Sequence, residues 1–183
     1  EFFEWEPKIE SFKSAITKKG FSTKKRKILV EALNRQYNEL KCASTLLENI
    51  QSLSESNTFT VTTGHQLNIF TGPVYFLFKL VSTINLSKKL KEYYPDFHFI
   101  PIYWMASEDH DFEEISSFNM FGNKYQWATK QTGAVGRFDP SSLADLINQI
   151  DEKVELFEKA YSGFQTLADS VRFYVNELFG SEG

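Results

Sequence analysis

Phe59-Thr60-Val61-Thr62-Thr63-Gly64-His65-Gln66 and Phe97-His98-Phe99-Ile100-Pro101-Ile102-Tyr103-Trp104-Met105-Ala106-Ser107-Glu108-Asp109-His110-Asp111 decide the fold of this chain. Each is an apolar run that ends in a polar cluster. Phe59 to Thr63 alternates and is rich in β-formers, which predicts a strand. Phe97 to Met105 is nearly continuous in apolar residues, as a strand covered on both faces should be, although Pro101 counts against a central position. Between them Pro73 to Tyr93 has a helical pattern. It opens on Thr71-Gly72-Pro73, with Pro73 suited to the first turn, and Pro95 closes it. Its first two turns, Val74 to Phe78, are apolar all round, which predicts burial on more than one side. Strand, helix, strand implies a parallel pair with a right-handed crossover. Both strand C-termini and the helix N-terminus then meet at one edge, where ligands of open α/β sheets bind.

Working outward, residues 22 to 53 read as one long helix. Leu29, Leu33, Leu40, Ala43, Leu47 and Ile50 follow a three-four spacing, widened by Ile28, Tyr37 and Leu46. Arg26 and Gln36 interrupt the seam, so a helix packed across a sheet is expected rather than a self-sufficient coiled coil. Pro7 to Lys18 is a shorter helix ending at Gly20. Lys124 to Phe138 reads as a hairpin with Gly133 and Gly136 at turns. Asp139 caps a helix that has Pro140 at its first position and carries Leu143, Leu146, Ile147, Ile150 and Val154. Phe164, Leu167, Val171, Val175 and Leu178 form another, ending at Gly180. The predicted organisation is a helical segment at 1–57, a Rossmann-like βαβ core at 58–122, and a hairpin plus helices at 123–183. Without an initiator Met, and stopping just after a helical pattern, the chain is expected to be part of a longer protein, with a further strand after Gly183.

A chain of 183 residues with 42% hydrophobic and 24% charged residues can bury a real core. Its net charge of −4 gives no basic footprint for nucleic acid. The one dense basic run, Lys18-Lys19 through Lys24-Lys25-Arg26-Lys27, is expected to be a solvated face. Cys42 is the single cysteine, which excludes an intrachain disulfide; it is expected to be a small packing residue in the long helix. No apolar run reaches the roughly 18 residues of a membrane span, and no signal peptide is recognisable. A cytoplasmic protein is expected.

The nucleotide motifs G-x-G-x-x-G and G-x-x-x-x-G-K-[ST] are missing. Their physics remains, because a helix N-terminus offers unpaired N–H groups and partial positive charge to a phosphate or carboxylate. Gly64 and Gly72 allow close backbone approach, so Gly64, His65, Gln66, Thr71 and Gly72 form a candidate anion pocket. A structural loop accounts for the same residues. Lys79 either snorkels to solvent or leans back toward the pocket. Glu108, Asp109, His110 and Asp111 concentrate charge that needs a cation, an amine or hydrogen bonds to be tolerated. They fit a metal site of His110 with the carboxylates, joined by His65, recognition of an amine or of ribose hydroxyls with His110 carrying protons, or a cap by Asp109 or Asp111 on a helix beginning near Phe112. His98, within the apolar run, is expected to be a core histidine.

Taken together, Thr63-Gly64-His65-Gln66, Thr71-Gly72-Pro73-x-Tyr75-x-x-x-Lys79 and Pro101-x-x-Trp104-x-x-x-Glu108-Asp109-His110-Asp111-Phe112-x-Glu114 resemble the bacillithiol biosynthesis cysteine-adding enzymes, a cysteine ligase family. Gly133-Ala134-Val135-Gly136 and Val171-Arg172-x-Tyr174-Val175-x-x-Leu178-Phe179-Gly180 extend the resemblance. It implies an N-terminal portion of a longer enzyme, with a Rossmann-like core and, elsewhere, a helical coiled-coil arm. The implied reaction joins the carboxyl of cysteine to the amine of glucosaminyl-malate, with ATP as activator, a magnesium requirement left open, and a homodimer as the full-length state. On these residues it implies that Gly64, His65, Gln66, Thr71, Gly72 and Lys79 bind substrate or nucleotide. Glu108, Asp109, His110 and Asp111 are implied to be catalytic, with no resident metal. His65 stands where other members often carry Gln. The rival readings are a metal-dependent hydrolase built on His65, His110 and the carboxylates, and a non-catalytic helical scaffold.

Overall fold

A computed structural model describes residues 4–183. The predicted βαβ unit is present. Strand β1 (Thr58–His65) is followed by helix α4 (Val74–Tyr93) and strand β2 (His98–Met105), and the two strands pair. The pairing is parallel: His98 N–H donates to Asn57 O at 3.0 Å at one end, and Ala106 N–H to His65 O at 3.1 Å at the other. The end of β1 therefore lies beside the end of β2. After a short helix, α5 (Phe112–Ile115), a second, antiparallel pair joins β3 (Ser117–Met120) to β4 (Asn123–Gln126) in a tight hairpin, with Phe118 opposite Tyr125. Among the described residues these are the only two sheets, each of two strands. The architecture is α/β and Rossmann-like, with a partial parallel sheet.

Two compact units can be distinguished, one comprising the chain up to Val61 with Ser82–Ile102 and Ser181–Gly183, the other Thr62–Val81 with Tyr103–Gly180.

In the first unit the expected helix over 22–53 is two helices, α2 (Thr23–Tyr37) and α3 (Ser44–Ser52), after a short α1 (Phe12–Lys18). The helix stops at Asn38 and restarts after Ala43, whose ψ of 151° is extended. The three-four spacing continues through the break because both helices present one apolar stripe, so periodicity alone hides it. Asn34 and Gln51 bond across the two helices at 3.1 Å, and Ser22 caps α2 by accepting from Lys25 N–H. Cys42 thus sits in the connection, half-buried, and not in a helix. The seam-breaking Arg26 proves to be a staple. It is buried and donates to the carbonyls of Leu53, Thr58 and Ser56, while its neighbours Lys24, Lys25 and Lys27 are exposed. A buried guanidinium is tolerated because its donors are matched with carbonyl acceptors. His98 is exposed, against the expectation of a core histidine; it stands at the first residue of β2, where the side chain is not enclosed.

The second unit holds the continuous core. Leu67, Ile69, Val135, Leu143, Leu167 and Val171 are essentially inaccessible, as are Trp127, Tyr161 and Tyr174. The expected hairpin over Lys124–Phe138 is displaced. The hairpin is β3–β4, turning at Phe121 and Gly122, which both have positive φ. Gly133 lies in irregular chain and Gly136 in a 3₁₀ turn, Val135–Arg137. Gly133 and Gly136 drew the turn eleven residues or more too far along, whereas Phe121-Gly122 supplies the left-handed pair that a two-residue turn needs. Asp139 caps its segment as expected, accepting from Ser141 N–H at 2.8 Å. That segment ends with α6 (Ala144–Ile147), after a 3₁₀ turn at Pro140–Leu143; Val154 precedes the next helix, α7 (Glu155–Gly163). The last long helix, α8 (Leu167–Phe179), ends at Gly180 as expected. Trp104 in β2 is 62% exposed, so this strand is not covered on both faces as its composition predicts.

Candidate functional site

All ten predicted site residues belong to the second unit. Gly64 and His65 end β1, and Gln66 follows it; Glu108 to Asp111 follow β2. The two clusters are joined directly. Gln66 Nε2 donates to Asp109 Oδ2 at 2.9 Å, across forty-three positions of sequence. The other carboxylate oxygen, Oδ1, accepts from Asp111 N–H at 3.1 Å. The Gln66 hydrogen bond first, and the Asp111 backbone bond second, hold the Asp109 carboxyl below the usual range. An acid with both oxygens committed inside the protein is an organiser of the loop.

The loop is also pinned from the 3₁₀ turn. Val135 N–H donates to Asp109 O at 2.8 Å and Gly136 N–H to Ser107 O at 3.0 Å. A Cβ on Gly136 would lie 2.5 Å from Ser107 O and 2.9 Å from Ser107 Cα, so only glycine permits this approach. With Asp109 fixed, Glu108, His110 and Asp111 stand exposed around it. Among the described residues no three His, Cys, Asp or Glu side chains gather closely enough to hold a metal ion. The arrangement offers acidic groups and an imidazole to a cationic or hydroxylated ligand.

On the other strand, Lys79 takes the second of its two alternatives. From the second turn of α4 its Nζ reaches back to donate to Gly64 O at 2.7 Å, as the N-terminal lean of helical side chains allows. Between β1 and α4 the chain is held in an unusual conformation: Phe70, Thr71 and Gly72 all have positive φ, at 49°, 64° and 59°. Gly72 is required twice, for this φ and because a Cβ would meet the Asn68 side chain at 2.5 Å. The strain is held by buried partners. Tyr161 OH accepts from Phe70 N–H at 2.8 Å, and Tyr174 OH donates to Asn68 O at 2.6 Å. Burial pushes both phenols well above their ordinary range, so both remain neutral donors or acceptors.

Sequence reasoning missed Asn68. Its Nδ2 lies 3.1 Å from Gln66 O and 3.0 Å from His65 Nδ1. Tyr103 OH also donates to Gln66 O, at 3.1 Å. His65 Nδ1 also lies 2.9 Å from Gln66 O, so three groups crowd the two lone pairs of that carbonyl. The tautomer of His65 turns on this junction: Nδ1 either donates to Gln66 O or accepts from Asn68 Nδ2. The ring itself packs against Tyr75 and Phe76, at 5.1 and 5.4 Å between centroids. An Asn three residues after the His was the available signal. Tyr103, Tyr161 and Tyr174 gave none, because a tyrosine in an apolar run reads as core.

A parallel strand pair with a crossover helix and polar loops at the strand ends defines a Rossmann-like domain. The family profile described as bacillithiol biosynthesis BshC, N-terminal Rossmann-like domain, matches residues 1–183, and the chain belongs to that family. It is 48% identical to Putative cysteine ligase BshC of Flavobacterium psychrophilum, over 100% of this chain and 37% of that protein. It is 46% identical to the protein of the same name from Christiangramia forsetii, again over 100% and 37%. The Cytophaga hutchinsonii protein is 40% identical over 97% of this chain and 34% of its own length. The chain therefore spans little more than a third of the curated relatives it matches. Among the described residues no helix is long and apolar enough to cross a membrane.

Proposed function

We propose that this domain supplies part of the active site of a cysteine ligase of bacillithiol biosynthesis. In the full-length enzyme the carboxyl of cysteine is activated by ATP and captured by the amine of glucosaminyl-malate, forming an amide. The observation that carries this reading is the Gln66–Asp109 bond, which makes one site of two loops at the carboxyl ends of parallel strands. The acidic loop suits the amine substrate: Glu108 and Asp111 flank the fixed Asp109 and are free to face an ammonium group, and His110 can accept the proton the amine must lose before attack. The Gly64–Thr71–Gly72 side, with Lys79 against Gly64 O, suits the anionic partner. A location in the cytoplasm, where cysteine and ATP are at hand, and a full-length homodimer belong to the same proposal.

Incubation of the full-length protein with cysteine, glucosaminyl-malate and ATP tests it. Cysteinyl-glucosaminyl-malate should form, with ADP marking an acyl-phosphate and AMP an adenylate. Absence of amide product from folded full-length protein overturns the reading.

A further inference from the structure

The composition of the first two turns of α4 predicts burial on more than one side, yet only one side is buried. Phe76 and Leu80 are 1% and 4% exposed, whereas Val74, Tyr75, Phe78 and Val81 are 65%, 54%, 67% and 42% exposed. Positions 74, 78 and 81 follow a four-three spacing, so they stand in one row along the helix, with Tyr75 beside it. Val74, Phe78 and Val81, with Tyr75 at the margin where it also packs on the His65 ring, form an open apolar face of a kind soluble proteins seldom leave uncovered.

We infer that this face, Val74-Tyr75-Phe78-Val81, is the seat of the C-terminal remainder of the full-length protein. Three observations select that occupant. The matched domain is the N-terminal one of its family, and the curated relatives carry it as 37% of their length, so most of their chain lies outside it. The parallel sheet has only two strands among the described residues, whereas parallel sheets are built with more strands and with helices on their faces. Completing such a sheet adds further crossover helices, and these pack beside the first one. Finally, the row is free of charge from Val74 to Phe78, which suits a permanent intramolecular contact rather than a transient polar one. The inference concerns assembly and stands whether or not the ligase reaction is correct.

The test places the photo-crosslinking residue p-benzoylphenylalanine at Phe78 in the full-length protein. Irradiation followed by peptide mass spectrometry should give an intrachain link to a residue beyond position 183. A link to a second copy of the chain, or no link at all, overturns the inference. A second measurement uses Val74→Cys in a Cys42→Ser background. Alkylation at position 74 should be at least about tenfold slower than at the exposed control Lys89→Cys, as expected for a side chain reached only through local opening. Equal rates overturn it as well.

Discussion

Gln66 Nε2 and Asp109 Oδ2 stand 2.9 Å apart, and through that bond the loops after β1 and β2 behave as one structure. Removing the donor has a defined electrostatic result. In Gln66→Ala the Asp109 carboxyl loses the largest of the influences that lower its pKa, and its midpoint should move up toward the ordinary aspartate value of about 3.9. A carboxyl-carbon NMR titration reads this directly; an unmoved midpoint removes the bond from the account.

The same shift fixes the sign of a pH dependence. A carboxyl whose folded pKa is lowered contributes stability that is fully present above its unfolded value and is lost as pH falls through the folded one. The order of the 107–111 loop should therefore hold at neutral pH and weaken only below the usual aspartate range. Amide exchange of Asp111, whose N–H is bonded to Asp109 Oδ1, should accelerate there in wild type, and Asp109→Asn should show that acceleration already at pH 7.

Glycine at 136 is a packing requirement. Gly136→Ala should destabilise the protein by ~1–3 kcal/mol, because Ser107 backbone atoms cannot yield as a flexible side chain can. Gly20→Ala, with nothing within 4 Å of the added Cβ, is the control and should leave the melting temperature nearly unchanged. Equal effects of the two substitutions would discard the steric argument.

The buried tyrosines hold the left-handed turn by their hydroxyls. Tyr174→Phe leaves Asn68 O without its donor and Tyr161→Phe leaves Phe70 N–H without its acceptor, each at about 1–3 kcal/mol. Both phenols have raised pKa values, so their contribution is complete below the ordinary value of about 10 and declines as pH rises past it. Chemical denaturation of the two variants and of wild type between neutral and strongly alkaline pH measures both effects.

Asn68→Ala should shift the tautomer of His65 toward Nδ1–H, which donates to Gln66 O. Nitrogen-15 spectra of histidine-labelled protein, assigned by subtracting His65→Gln, should show the Nδ1–H form gaining after the substitution, because Gln66 O, an acceptor, then faces Nδ1 alone. An unchanged spectrum means that Asn68 does not set the ring.

The strand–helix–strand order, the cap at Asp139 and the end of α8 at Gly180 were legible because each depends on local chemistry: β-branched alternation, a proline in a first turn, an Asx cap. The break between α2 and α3 was not, since two helices that share an apolar stripe keep its period through the gap. The β3–β4 hairpin was read too late because Gly133 and Gly136 outweighed Phe121-Gly122, although Gly136 is there for close approach to Ser107. The site was legible as residue types at strand ends. Its internal bonds were not. Whether Lys79 points outward or back to Gly64, and whether Asp109 is bound by Gln66, are matters of side-chain direction that spacing does not carry.

The two tyrosines that brace the turn after β1 lie 91 and 106 residues downstream of the backbone groups they hold. Chain emerges from the ribosome at roughly 5–20 residues per second, so Phe70-Thr71-Gly72 waits about 5–20 s for Tyr161 and Tyr174 to be made. During that interval the cost of left-handed Phe70 and Thr71 is not offset by these hydroxyls, and the segment is free to take ordinary extended or helical conformations. One side of the candidate site is thus absent from the nascent protein and comes into being only when α7 and α8 arrive.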